Sequence, residues 1–168
     1  MPVRLFNSMV TYMTPCTTLI RSDVVRRLGG FRADGCRFGE DSWLWLRVLF
    51  GSPVYYHLIP PVALHREAAG LSGNCTGPRP IEPYLLVPEL LGDVCPPELR
   101  PLLTSFFAAR ACKTACMLSY WGDWRRARSL RGQFVSVRDW RVPLFWAALA
   151  GSTPLGAMAG YLYRKFRS

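Results

Sequence analysis

The residues of this chain best placed for chemistry are two adjacent carboxylates, Glu40 and Asp41. They precede residues 42–50, a run that is apolar on nearly every face, and a helix without a polar face is a buried helix. The pair should therefore sit at a helix N-terminus, where the partial positive charge of the backbone stabilises anions. Glycines 35 and 39 would let this loop approach a ligand closely. A carboxylate there can accept a proton or a hydrogen bond. It can equally do no more than cap the helix. The apolar character of the helix favours a carboxylate pair held at a domain interior or cleft. Arg47 lies on the face of Glu40 at i+7, among apolar neighbours. A buried charge needs a partner, so an internal ion pair with a carboxylate is predicted for it.

The elements around the pair can be read from pattern. Residues 13–20 read as a buried strand. Ser22 then caps a short helix with Asp23 in its first turn and Arg26 and Arg27 in its last. Gly29 and Gly30 end that helix, and Phe31 is expected to plug the core. Residues 54–59 and 62–65 are strand candidates separated by Pro60-Pro61. Residues 1–72 thus alternate strands and helices, residues 73–97 form a Pro/Gly-rich connector, and residues 98–168 are basic and mainly helical. In that last part, residues 98–120 read as one long helix whose stripe of Leu99, Leu102, Leu103 and Phe106 turns basic at Arg110 and Lys113. Asp123 caps a second helix carrying Arg125, Arg126 and Arg128. Residues 142–163 hold no charge over a stretch long enough to span a bilayer. Pro143, Gly151, Pro154 and Gly160 interrupt it, so two short helices broken at residues 151–154 are the preferred reading.

Composition bounds the rest. The chain has 168 residues, half of them hydrophobic and 13% aromatic, which excludes a disordered chain. Its formal charge is +10, most of it in Arg and much of it after Arg100, a balance that favours anionic partners. Apolar helices flanked by Arg138, Arg141, Arg164, Lys165 and Arg167 suit an anionic membrane surface; a hairpin packed on its own domain fits the pattern equally well. No nucleic-acid motif is present, and no nucleic-acid partner is expected. The six cysteines form no CxxC pair and read as reduced thiols of a cytoplasmic protein.

Taken in order, several runs resemble the acceptor-side half of a family-2 glycosyltransferase. The first is Thr14-Pro-Cys-Thr-Thr-Leu-Ile-Arg-Ser-Asp-Val-Val-Arg-Arg-Leu-Gly-Gly-Phe31. The second is Gly39-Glu-Asp-Ser-Trp-Leu-Trp-Leu-Arg47, and a strand with His65, Glu67 and Ser72 follows. The resemblance covers residues 14–72. It implies an α/β fold, a partial GT-A-like mixed sheet with flanking helices, followed by the mainly helical C-terminal region. It also implies an inverting transfer of sugar from a nucleotide-sugar donor to a glycan, lipid or protein acceptor. On that basis Asp41 is the general base, and Glu40, Trp43, Trp45 and Arg47 surround the acceptor. Trp43 and Trp45 also fit plain core packing. Aligned on Ser72, His65 stands where the family has Arg, and Glu67 where it has a metal-contacting His. Either residue could touch a divalent ion or diphosphate, or simply close a strand.

The chain departs from the family in one large respect. It contains no Asp-x-Asp, the element that holds the divalent metal (Mg or Mn) and the donor diphosphate in such enzymes. The expectation is a fragment or shortened relative of a glycosyltransferase without its nucleotide-binding half. It would be cytoplasmic, with a tail suited to the inner face of a membrane. The alternative reading is a non-catalytic membrane-surface or scaffold module derived from such an enzyme.

Overall fold

The structure is a computed structural model, which describes residues 2–32, 38–57, 62, 77, 79–136 and 145–167. Among these residues all regular structure is helical. Nine α-helices are seen: α1 (Val3–Tyr12), α2 (Ser22–Arg27), α3 (Glu40–Gly51), α4 (Pro83–Leu86), α5 (Glu89–Gly92), α6 (Arg100–Tyr120), α7 (Trp124–Phe134), α8 (Phe145–Gly151) and α9 (Pro154–Arg167). A 3-10 turn at Pro97–Leu99 leads into α6.

This corrects the expected α/β fold: no strand or sheet occurs among the described residues, so a GT-A-like mixed sheet is not seen. Residues 13–20, read as a buried strand, instead turn at Pro15–Thr17, where the Thr17 amide bonds the Thr14 carbonyl at 3.0 Å. Met13 is buried but Leu19 is fully exposed, so the segment has no strand-like inner face. Residues 54–57 and Val62 form no ladder. A strand is stable only with a partner to take its amides and carbonyls, and apolar content alone does not supply one. The rest of the 54–59 and 62–65 candidates lies outside the described residues.

The chain divides into two units, residues 1–74 with 81–103, and residues 75–80 with 104–168. In the first, α1 was not anticipated as a helix. It buries Phe6 and Val10, four residues apart, and Met13 continues the same face just beyond its end. These pack near α3, whose Trp43, Leu44, Trp45, Leu46 and Val48 are buried, as the apolar run predicted. Met13, Leu44, Trp45 and Val48 form a cluster against which Ile20, Val24, Leu28, Leu49 and Val54 pack. Burying side chains of this size contributes about 1.5–3 kcal/mol each. The short helix α2 forms as expected, though Arg21 precedes it and Ser22 makes no capping bond. Gly29 and Gly30 end it with φ of 78° and 72°, a backbone that side chains disfavour. Phe31 does not plug the core: it is 46% exposed, and its ring meets Trp45 edge-on at 6.0 Å. Tyr84, Leu85 and Leu91 of α4 and α5 are also buried, so residues 81–97 add to this core.

In the second unit, α6 buries Phe106, Ala108, Ala111, Cys112, Ala115 and Leu118 along its length. Its end is closed by Gly122 at φ 91°, with the Asp123 amide bonding the Leu118 carbonyl at 2.9 Å. Asp123 caps α7 as expected, accepting from the Arg126 amide at 3.1 Å. The predicted break at residues 151–154 separates α8 from α9. Arg131 Nε donates to Ser152 Oγ at 3.0 Å and ties α7 to that break.

Candidate functional site

The head of α3 presents the carboxylate pair. Gly39 is the residue before the helix, at φ 79°, and its carbonyl accepts the Trp43 amide at 3.1 Å. Gly39 itself has no side chain to cap the helix. Glu40 and Asp41 fill the first turn and are half-buried. Asp41 Oδ1 accepts the Ser42 amide at 2.6 Å and the Ser42 hydroxyl at 3.4 Å. Glu40 Oε2 is buried without a hydrogen-bond partner among the described residues.

A third carboxylate belongs to this neighbourhood, and sequence reasoning missed it. Glu82, 7% exposed, leads into α4 and packs over the loop: a Cβ on Gly39 would stand 3.1 Å from both Cβ and Cγ of Glu82. Nothing in the Pro-rich run around Glu82 signals this approach.

The other residues of the expected site divide. Trp45 is 2% exposed, inside the core cluster, and its Nε1 has no partner among the described residues. Trp43 is 8% exposed and lies under the Arg32 guanidinium, 4.7 Å from the ring centre. Both therefore pack inward. Among the described residues Arg47 makes no ion pair; its guanidinium donates to the Leu28 carbonyl, tying α3 to the end of α2. A backbone carbonyl at a helix end carries partial negative charge and takes the place of the carboxylate. His65, Glu67 and Ser72 lie outside the described residues.

The described residues contain no group of three His, Cys, Asp or Glu that could hold a metal ion. The first unit also has a cleft of about 830 Å³, floored by Met13, Val24, Val48 and Val54 and rimmed by Tyr12, Tyr55, Tyr56 and His57. It lies along the later turns of α3, and neither Glu40 nor Asp41 lines it. Burial, with the neighbouring Tyr12, pushes the Tyr56 phenol up from its ordinary value. Four thiols are seen: Cys16 is exposed, Cys95 and Cys112 are buried, and Cys116 is half-buried.

Comparison with protein-family models, curated proteins and solved structures returned no match.

Proposed function

We propose that this chain serves glycosyl transfer, with Asp41 as the base that activates an acceptor hydroxyl. The observation that carries the reading is the carboxylate pair in the first turn of α3. There one oxygen of Asp41 is held by the Ser42 amide, and Glu40 keeps a buried oxygen with no partner among the described residues. The ordered runs at residues 14–31 and 39–47 support it. The helical fold does not, and the reading rests on the residues rather than on an architecture.

In the step proposed, the acceptor hydroxyl gives its proton to the free oxygen of Asp41 as its own oxygen bonds to the anomeric carbon. The bond from that carbon to the nucleoside diphosphate breaks, and the leaving group departs with the electron pair. Glu40, beside Asp41 in the same turn, helps shape the acceptor pocket. The Ser42 amide holds the Asp41 carboxylate in one rotamer, so one face of it is presented. A single displacement inverts the anomeric configuration. The product of the gene, incubated with nucleotide sugars and a glycan or lipid acceptor, should give transfer products of inverted configuration by proton NMR. Retention of configuration would remove the single-displacement role of Asp41.

A further inference from the structure

The net charge of the chain resides entirely in one of its units. The first unit carries nine Lys and Arg against nine Asp and Glu; the second carries twelve against two, Asp123 and Asp139. The second unit therefore holds the whole +10. No acidic residue occurs in α8 or α9.

The last helix is built inside out relative to an ordinary surface helix. Its inward residues are small: Ala157 is 7% exposed, and a Cβ on Gly160 would stand 3.1 Å from the Tyr120 backbone. A Cβ on Gly156 would fall 2.4 Å from the Ala150 carbonyl oxygen, so α8 and α9 touch backbone to backbone. Its large apolar residues face out. Leu155, Met158, Leu162 and Phe166, spaced by three, four and four residues, are 73%, 55%, 42% and 84% exposed. Exposed Tyr161 and Lys165 border this stripe, and Trp146 on α8 is exposed as well. A continuous apolar stripe in water marks an interaction surface.

We propose that α9 seats the second unit on an anionic lipid surface. The stripe of Leu155, Met158, Leu162 and Phe166 enters the boundary between headgroups and acyl chains, and the positive charge of the unit draws it to lipid phosphates. Charge selects this occupant: a unit with twelve cations and two anions is attracted to an anionic surface. Length sets the mode. No described helix is long and apolar enough to cross a membrane. The 14 residues of α9 span only about 21 Å, against an acyl core of about 30 Å, so the helix lies in the plane of the surface. Aromatic side chains such as Trp146 and Tyr161 suit the interfacial level.

The full chain should pellet with phosphatidylglycerol-containing vesicles and not with phosphatidylcholine vesicles, and added salt should release it. Phe166→Ala should lower partitioning by about tenfold. Leu162→Ser should act in the same direction, with helical circular dichroism unchanged in both variants. Failure to pellet with anionic vesicles would overturn the proposal. So would undiminished pelleting of a chain carrying both substitutions, preferential binding to RNA, or a dimer in gel filtration that these substitutions dissociate.

Discussion

At the level of single residues, the chain shows how little a residue type says without its partners. Asp41 was picked out by its place ahead of an apolar run, and it does stand in the first turn of α3, half-buried and bonded to the Ser42 amide. Arg47 was equally visible in the sequence, but its partner, the Leu28 carbonyl, was not. Backbone acceptors carry no signature in side-chain spacing. Cysteines offer an independent test of local environment. Burial pushes the Cys116 thiol above its ordinary value, whereas Cys16 is exposed. The folded chain therefore holds the Cys116 proton more tightly than the unfolded chain does. The stability this contributes is present below the ordinary thiol pKa, about 8.5, and is lost as pH rises through the folded value. Iodoacetamide near that pH should label Cys116 roughly tenfold more slowly than Cys16, read by peptide mass spectrometry. Equal rates would show that Cys116 is not protected.

At the level of elements, helices were legible where period and caps agreed. The helix of α3 was announced by its all-apolar run, that of α2 by its Gly-Gly end, and that of α7 by Asp123. The break between α8 and α9 was announced by residues 151–154. The α1 helix was missed although Phe6, Val10 and Met13 already stood at helical spacing. The strands failed for a different reason. Residues 13–20 have β-branched and apolar content, but pairing is a property of two segments, and no pairing partner appears among the described residues. The approach of Glu82 to Gly39 is likewise a long-range fact with no local sign. It makes Gly39 a sensitive position. Alanine there would meet Glu82 at 3.1 Å and Pro83 at 3.2 Å while sitting at φ 79°. Gly39→Ala should therefore lower stability by about 1–2 kcal/mol in urea denaturation, with the slope unchanged. A neutral result would mean that α4 is not held against the head of α3.

At the level of the whole molecule, two units of different electrostatic character share one chain: a neutral one that carries the carboxylate pair, and one that holds the entire positive charge. The sequence showed that basic residues accumulate after Arg100. It did not show that the last helix packs through glycine and alanine and turns its largest apolar residues outward, because that depends on which face α6 and α8 cover. The proposed activity belongs to the neutral unit. Its most direct test is the turnover of Asp41→Asn in the product of the gene. Asparagine caps helix starts about as well as aspartate and can still accept the Ser42 amide, so the fold and the donor KM should be kept. An amide oxygen cannot take a proton in its place, and kcat should fall about 10²–10⁴-fold. Wild-type turnover in Asp41→Asn would contradict the account.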